Sequence, residues 1–420
     1  MKAATSSRMD VKIPPRKSPA QQPSPTYMND PLGQSADQKQ FDIEFSVPMV
    51  HRLRFTHDCF GEDFGVIHEL LEPGATDAAR VQVWVDEGLL TWDASLCARI
   101  TDCLENGSHA RLVAPVCCLP GGEAVKNDPQ IVDSLLAAFH RDNLDRRSYV
   151  LVVGGGAVLD TVGYAAAIAH RGIRLIRVPT STLAQADSGV GVKNAVNWFG
   201  KKNWKGTFAT PWAVVNDERL LAGLSDRDYR CGFSEAVKVA LLKDAEFFEY
   251  LAEAAEAIGA REQPMAGRAL RESVLLHLAH ITRGGDPFEL QQARPLDFGH
   301  WSAHKLEAIT NYGVRHGEAV AIGVAVDVAY SHLRHGLSQS IVERTFATLS
   351  GLQLPLWHAA LNEDTIFDGL EEFRQHLGGE LTITLIQDVA RPIDVHSIDK
   401  VAMREAMAMV ATATKPTVAG

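Results

Sequence analysis

The chain has 420 residues, of which 46% are hydrophobic, 22% charged and 7% aromatic, a composition typical of a globular protein long enough for two domains. The formal net charge of -11 argues against nucleic acid as the main partner, although local basic clusters could still bind a phosphorylated small molecule. The six cysteines include no CxxC pair, which favours buried thiols in a reducing compartment such as the cytoplasm. Since no apolar run reaches the roughly 18 residues of a membrane-spanning helix, we expect no membrane partner.

Residues 1–40 are polar and rich in Pro, Ser and Gln. They contain no apolar segment of the kind found in a secretory signal. We interpret them as a disordered tail. The Lys and Arg residues near its start leave an organellar targeting peptide as an alternative.

Strand and helix patterns alternate from about residue 41. "ARVQVWVDEGL" predicts a strand that ends at Asp86, and "ARLVAPV" predicts a second strand. In "DPQIVDSLLAAFHRDNLD" the apolar residues Ile131, Leu135 and Phe139 recur at helical spacing. "SYVLVVGGGAVLDTVGYAAAIAHRGIRLIRVPTS" then predicts a strand, a glycine turn, a helix and a strand, which together form a βαβ unit with buried parallel strands.

The triple glycine at residues 154–156 lies where the strand gives way to the helix. Glycines there let the backbone approach a pyrophosphate at the helix N-terminus, but GGGxxxD is not GxGxxG, so tight packing is an alternative. Asp86, at the end of an earlier strand, suits an acceptor for an adenosine ribose. Glu123 and Lys126 either face the same cleft or, as their i, i+3 spacing alone favours, form a solvated helix pair.

A polar run, "AQADSGVGVKNAVNWFGKKN", follows in the same half of the chain. Among its glycines it carries Asp187, Lys193, Lys201, Lys202 and Asn203. A loop with this much lysine and glycine is costly to order unless an anion binds to it. The run therefore predicts an anion-binding loop, with a flexible solvated loop as the alternative.

From about residue 223 the pattern becomes helical, and "GELTITLI" is the one strand predicted within this half. We therefore predict an α/β N-terminal domain over residues 41–222, Rossmann-like and nucleotide-binding, followed by a mainly α-helical C-terminal domain over residues 223–420 that binds metal and substrate. The cleft between them is the expected active site.

Two histidines in "RPLDFGHWSAHKLE" share one face of a predicted helix, with Glu307 one turn further on. Three interpretations are open for His300 and His304. Both are metal ligands, or one is a ligand and the other its neighbour, or both are surface histidines. His316 in "YGVRHGEAV" and Glu235 in "GFSEAVKVALL" offer an alternative set, because two imidazoles and a carboxylate suit Zn²⁺. Spacing alone does not choose between these sets.

Taken together, these motifs resemble the sugar phosphate cyclases, whose best-known member is 3-dehydroquinate synthase. The resemblance runs from about residue 80 to 400 and rests on GGGxxxD, "RG" at 171–172, "VPTSTLAQADSGVGVK", "GKKN", "SEAVK", "DFGHWSAH" and "RHGEAVAIG". The spacing between blocks also agrees with that family, including 32 residues from Asn203 to Glu235 and 16 from His300 to His316. The wording of the motifs is closest to the EboD-type and 2-epi-5-epi-valiolone synthase-type cyclases.

The resemblance implies two cofactors, NAD and Zn²⁺ or Co²⁺. The positions that match cofactor contacts are Asp86, Glu123, Lys126, Gly154, Gly155, Gly156, Asp160, Thr180 and Thr182. The positions that match metal ligands are Glu235, His300 and His316, which leaves His304 to face the substrate.

The resemblance also implies a substrate site and a homodimer. Matching substrate-site positions are Asp187, Lys193, Lys202, Asn203, Lys238, Asp297 and His304. Arg171 matches an arginine that reaches the site of a neighbouring subunit. The implied reaction oxidises a ring carbinol, eliminates phosphate, reduces the ketone again and closes a carbocycle by an intramolecular aldol step, so that NAD is regenerated.

Several positions depart from 3-dehydroquinate synthase. Asp297 replaces an asparagine, Ala293 and Ala279 replace an arginine and a lysine near the substrate carboxylate, and His376 replaces a C-terminal lysine. Whether the neighbouring Arg294, Glu289 and His280 take over these roles stays open. The lost cations favour a substrate without a carboxylate, such as sedoheptulose 7-phosphate, converted to a cyclitol of secondary metabolism.

Three alternatives remain at this point. The first is 3-dehydroquinate synthase itself, with Arg294 binding the carboxylate from a shifted position. The second is a metal-dependent polyol or glycerol-phosphate dehydrogenase, which would release NADH. The third is a non-catalytic binding protein, which no feature of the sequence supports.

Overall fold

The computed structural model describes residues 42, 45–73, 78–106, 110–284, 288, 295–377 and 379–414, without the side chain of His376. The tail predicted at residues 1–40, and Glu289, Ala293 and Arg294, lie outside these ranges. Met49–Gly420 group into one compact unit, so the domain boundary expected at residue 222 stays a prediction.

The strands within the described residues are β1 (Leu53–Thr56), β2 (Ala79–Asp86), β3 (Ala110–Leu112), β4 (Cys117–Leu119), β5 (Tyr149–Gly154), β6 (Arg174–Pro179), β7 (Lys193–Trp198), β8 (Lys201–Phe208), β9 (Ala213–Asp217), β10 (Ile383–Asp388) and β11 (Arg391–Val395). The helices are α1 (Phe64–Leu70), α2 (Leu96–Asn106), α3 (Ala124–Asn127), α4 (Pro129–Arg141), α5 (Gly156–Ile168), α6 (Asp226–Lys243), α7 (Ala245–Gly259), α8 (Met265–Arg283), α9 (His300–Ile309), α10 (His316–His335), α11 (Gln339–Gly351), α12 (Asp368–His376) and α13 (Lys400–Ala413).

A parallel sheet organises the N-terminal half, in the order β1-β9-β6-β5-β2-β3, with β4 also paired to β2. Both faces of the sheet are covered. Along β5, Leu151 packs into a cluster with α1 and α2, whereas Val150 and Val152 pack into another with α4 and α5. Burial on both faces explains the apolar run at β5 and confirms the Rossmann-like α/β prediction.

The polar run predicted as a loop is mostly a β-hairpin. After a helical turn over residues 184–188, β7 and β8 pair antiparallel and reverse direction at Phe199 and Gly200, where φ is 53° and 70°. Two consecutive residues with positive φ match the twist of a tight hairpin. The flexible-loop alternative was wrong, because Asn194, Ala195 and Val196 are buried and hold β7 against the domain.

The C-terminal half is built mainly from α6 to α13 around α10, in which every residue from Ala319 to Ser331 is buried. β10 and β11 form a small antiparallel pair beside these helices. The sequence predicted β10 but not β11, whose "RPIDV" contains a proline and only two large apolar residues. Within the described ranges, no helix combines the length and the apolar character needed to span a membrane.

Candidate active site

The carboxyl edge of the sheet brings the predicted nucleotide-binding residues together. β5 ends at Gly154, and α5 begins at Gly156 with its N-terminal backbone N–H groups at this edge. Thr180, immediately after β6, donates its backbone N–H to the Gly154 carbonyl at 3.0 Å. A Cβ added to Gly154 would lie 2.9 Å from Val158, so the close approach of strand and helix requires glycine.

Asp86 lies beside this turn at the end of β2. Its carboxylate accepts a hydrogen bond from the Gly88 backbone N–H at 2.9 Å, and burial raises its pKa above the ordinary value. A Cβ on Gly121 would collide with the same carboxylate, so the chain after β4 passes directly over it. Gly121 was missed by the sequence analysis, although "PGGEAVK" contained the signal.

Lys126 connects the helix α3 to the glycine-turn helix and to the hairpin. Its Nζ donates to Asp160 Oδ2 at 2.8 Å and to Asn203 Oδ1 at 2.5 Å, and the side chain is only 4% exposed. Glu123 instead accepts a hydrogen bond from Asn197 Nδ2 at 3.0 Å. The solvated helix pair favoured by spacing was therefore wrong, because Lys126 is buried and its acid partner is Asp160.

Arg177, on β6, shapes the segment between the sheet and the hairpin. Its guanidinium is fully buried and donates to the carbonyls of Gly189, Gly191 and Lys193 and to Asn194 Oδ1. These bonds fix the path of the chain between Asp187 and β7. A single arginine inside an apolar strand gave no sequence signal for this role.

Two clusters of possible metal ligands lie within the described residues, and they share His316. The set of Glu235 with two histidines is one of them, whereas neither cluster contains both His300 and His304. The Oε1 atom of Glu235, on α6, lies 3.6 Å from His300 Nε2 and 3.8 Å from His316 Nε2. In the first cluster, Glu235, His300 and His316, the possible ligand atoms all lie within 4.8 Å of one another. The same holds for the second cluster, His304, Glu307 and His316.

Glu235 fits a cation ligand on the chemistry of its surroundings. It is 2% exposed, and neither carboxylate oxygen has a well-directed hydrogen bond within the described residues, although Lys238 forms an ion pair with Oε2. Burial opposes ionisation of this carboxyl, but the Lys238 ammonium lowers its pKa to about 2. A buried, ionised and poorly satisfied carboxylate beside two imidazole nitrogens suits Zn²⁺ or Co²⁺, whose ligand atoms lie about 2.0–2.2 Å from the metal.

The start of α9 is held so that His300 faces Glu235. Gly299 has φ of 78° and donates its N–H to Asp327 Oδ2 at 2.9 Å, while Trp301 Nε1 donates to Asp327 Oδ1 at 2.9 Å. Burial raises the pKa of Asp327 to about 7. His300 Nδ1 donates to the Phe298 carbonyl at 3.0 Å, which leaves Nε2 directed at Glu235.

Glu307 is buried between the hairpin and the histidines. Its Oε2 lies 2.9 Å from His316 Nδ1 and 3.3 Å from His304 Nδ1, and its Oε1 lies 2.9 Å from Lys202 Nζ. Although burial opposes its ionisation, His316 and His304 hold the pKa of Glu307 well below its usual range. Its position one helical turn after His304 is visible in the sequence, but no motif there predicts a role for it.

Asp187 has a close partner on a distant helix, which no sequence pattern predicts. His277 Nδ1, on α8, lies 2.7 Å from Asp187 Oδ1. Burial opposes ionisation of Asp187, but His277 and Lys238 lower its pKa. The pair is 90 residues apart along the chain, so no local pattern signalled it.

The remaining predicted residues divide into three groups. Lys193, Asp297 and His280 are described and engaged in interactions of their own. Thr182 is fully buried, and its hydroxyl donates to the Tyr229 carbonyl at 2.7 Å, so it ties the sheet edge to α6. Arg171 is exposed at the end of the α5 segment, and the side chain of His376 lies outside the described part. Their roles stay predictions.

Comparisons with known proteins show the family and the fold to which this chain is similar. The family model described as 3-dehydroquinate synthase N-terminal matches residues 116–231, and the model described as 3-dehydroquinate synthase C-terminal matches residues 232–374. A 2-epi-valiolone synthase of Actinosynnema mirum is 35% identical over 277 residues, which are 63% of this chain and 70% of the relative. A 3-dehydroquinate synthase of Paracoccus denitrificans is 34% identical over 306 residues, which are 70% of this chain and 81% of the relative.

A solved structure matches over nearly the whole of both chains. It is a 2-epi-5-epi-valiolone synthase from Streptomyces hygroscopicus subsp. jinggangensis 5008 with NAD⁺ and Zn²⁺ bound. The TM-score is 0.79 at 25% identity, over 89% of this chain and 100% of that chain. The parallel sheet and the helical half described above are therefore a shared fold.

Proposed function

Because the chain belongs to the 3-dehydroquinate synthase family of sugar phosphate cyclases, we propose that it is an NAD- and divalent-metal-dependent enzyme that converts a ketose phosphate to a carbocycle with loss of phosphate. Sedoheptulose 7-phosphate is the proposed substrate. The observation that carries the proposal is Glu235, an ionised buried carboxylate that faces the Nε2 atoms of His300 and His316.

The residues at the site fit both cofactors. Asp86, at the end of β2, would bind a nucleotide ribose, and the N-terminus of α5 lies where the pyrophosphate is expected. Glu235, His300 and His316 would hold the cation. When bound, NAD supplies reversible hydride transfer, and the cation supplies Lewis-acid polarisation of a substrate hydroxyl.

The other side chains orient the substrate and carry charge. Lys193 and Lys202 at the hairpin would bind the phosphate, which leaves with its electron pair during elimination. Lys238, whose pKa is raised by Glu235 and Asp187 despite its burial, stays an ammonium donor to substrate oxygen. His304 is half exposed beside His316, and its Nδ1 lies 3.3 Å from the Glu307 carboxylate, which only accepts. Its Nε2 would therefore accept a hydrogen bond from a substrate hydroxyl.

The charge pattern favours a substrate without a carboxylate. Two cations of the site already have acid partners, in the ion pairs Lys238–Glu235 and Lys202–Glu307. Asp297 adds a further acid close enough to raise the pKa of Lys238. Among the described residues, a second substrate anion besides phosphate would therefore lose its hydration without gaining a counter-charge that lacks an acid partner.

The test is incubation of the purified chain with NAD⁺, Zn²⁺ or Co²⁺, and either sedoheptulose 7-phosphate or DAHP, the 3-dehydroquinate precursor. We expect phosphate and a carbocycle, followed by mass spectrometry, from the heptulose phosphate alone. Turnover of DAHP would contradict the substrate argument, and accumulation of NADH without phosphate release would indicate a dehydrogenase. Glu235→Gln is the matched inactive control, and its full activity would contradict the metal-ligand role.

A second candidate is 3-dehydroquinate synthase itself, supported by the 34% identity to the Paracoccus denitrificans enzyme. It would require Arg294, which lies outside the described residues, to bind the substrate carboxylate.

We also propose a homodimer in the cytoplasm in which Arg171 completes the site of the partner subunit. Its support is the exposed position of Arg171 after α5, where φ is 63° and Gly172 follows with φ of 117°. His170 before them also has positive φ, at 52°, so three consecutive residues form a turn at this point.

A further inference from the structure

One carboxylate, that of Glu307, serves side chains from three separate elements. It is 4% exposed and lies on α9, one turn after His304. Oε2 accepts from His316 Nδ1 on α10 at 2.9 Å, and Oε1 accepts from Lys202 Nζ on β8 at 2.9 Å. It therefore links the hairpin of the sheet half to a metal-ligand position of the helical half.

The contact with Glu307 decides which nitrogen of His316 carries the proton. An ionised carboxylate only accepts hydrogen bonds, so His316 Nδ1 donates and the lone pair is on Nε2. That Nε2 is the atom 3.8 Å from Glu235 Oε1. His300 is held separately, because its Nδ1 donates to the Phe298 carbonyl.

The same contacts argue against Glu307 as a metal ligand, although it lies within 4.8 Å of nitrogen atoms of His304 and His316. Both of its oxygens already accept hydrogen bonds. A nitrogen that donates a proton to Glu307 cannot also coordinate a cation. Glu235, in contrast, has two oxygens without a well-directed hydrogen bond in the described part of the chain.

We propose that Glu307 is a positioning residue that orients His316 toward the cation and Lys202 toward the phosphorylated substrate. The inference rests on the proposed function for the cation held by Glu235. Carboxylates behind histidine ligands fix the tautomer and ring orientation and raise ligand basicity. Because one carboxylate holds both groups, its loss affects metal affinity and substrate affinity together.

The variant that tests this is Glu307→Gln, which keeps the size of the side chain. An amide has one accepting oxygen, so it cannot accept from both His316 and Lys202. We expect Zn²⁺ affinity, measured on metal-stripped protein by competition with a chromogenic chelator, to fall about 10–100-fold. One zinc per chain should bind to the wild type and to the variant. Glu343→Gln, an exposed acid on α11, is the matched control.

Lys202→Met separates the two contacts of Glu307. This variant retains the bond to His316, so its Zn²⁺ affinity should stay within about 3-fold of the wild type if the effect passes through the histidine. If Lys202→Met lost as much Zn²⁺ affinity as Glu307→Gln, the hairpin and not His316 would control the metal site. That result would overturn the assignment.

Two other results would also overturn it. Unchanged Zn²⁺ affinity in Glu307→Gln would remove the positioning role, and a fall from two bound zinc ions to one would make Glu307 a ligand. If circular dichroism shows that Glu307→Gln does not fold, Glu307→Asp takes its place. The shorter side chain of aspartate moves the carboxylate away from His316, so zinc binding should still weaken measurably. None of these readouts needs turnover, so failure of the cyclase assay would not be mistaken for failure of this inference.

Discussion

Glu235 and Glu307 are both buried carboxylates that approach His316, yet their neighbours give them different chemistry. Glu307 accepts hydrogen bonds on both oxygens and faces the Nδ1 side of the ring. Glu235 faces the Nε2 side, and its oxygens lack well-directed donors among the described residues. The first is therefore suited to orient a ligand and the second to be one.

At the same scale, Asp86 is expected to hold the ribose of NAD. Asp86→Ala should weaken NAD⁺ binding about 10–150-fold, because a hydrogen bond to a charged group is worth roughly 1.5–3 kcal/mol. Isothermal titration calorimetry of the purified chain measures the change. Asp102→Ala, at an exposed position on α2, is the control and should bind NAD⁺ like the wild type. Equal affinity of the two variants would refute the ribose contact.

At the scale of elements, the contact between the start of α9 and the middle of α10 places His300. A Cβ on Gly323 would overlap the Gly299 carbonyl, and a Cβ on Gly299 would lie 2.7 Å from the Val324 nitrogen. The two backbones therefore touch without side chains between them. Asp327, one turn after Gly323, then bonds both the Gly299 N–H and the Trp301 indole.

Gly323→Ala should separate these two backbones. We expect the free energy of unfolding to fall by about 1–3 kcal/mol, the usual cost of overpacking a close contact. Urea denaturation followed by circular dichroism measures it. Gly65→Ala in α1, where a Cβ would meet nothing within 4 Å, is the matched helical control and should be neutral or stabilising by up to about 1 kcal/mol. Equal stability of the two variants would show that the close contact is not needed.

The elements themselves were largely predictable, since β5, α5 and β6 follow from an apolar run, a glycine turn and an alanine-rich helix. The β7–β8 hairpin was not, because its lysines and glycines are typical of loops. Its order depends on Arg177, which binds carbonyls of the preceding segment, and on Lys126, which binds Asn203. Such contacts join residues that no periodic pattern relates.

At the scale of the whole molecule, the site is assembled from both halves of the chain. Lys202 from the sheet half pairs with Glu307 from the helical half, and Asp187 pairs with His277. Thr182 bonds the backbone of α6. A shift between the halves would therefore disturb the metal ligands and the phosphate-binding lysines together.

The proposed dimer makes a prediction by complementation. Neither Arg171→Ala nor Glu235→Gln alone should turn over the substrate, but equal mixing after subunit exchange should restore about a quarter of wild-type activity. Half of the dimers are then mixed, and one of their two sites combines an intact Glu235 with the partner subunit's Arg171. Phosphate release measures the recovery. No recovery, with exchange verified by tagged subunits, would contradict the shared site.

The sequence by itself determined the fold class and the residue types of both cofactor sites. These depend on local patterns, such as buried strands, glycine turns and helices with histidines on one face. Spacing alone left open which histidines meet Glu235, although the family resemblance selected His300 and His316. No pattern in the sequence assigned a role to Glu307, Arg177 or His277. Only the tertiary structure decided these, because an ion pair such as Lys202–Glu307 joins residues 105 positions apart, and its partners are set by the packing of two halves.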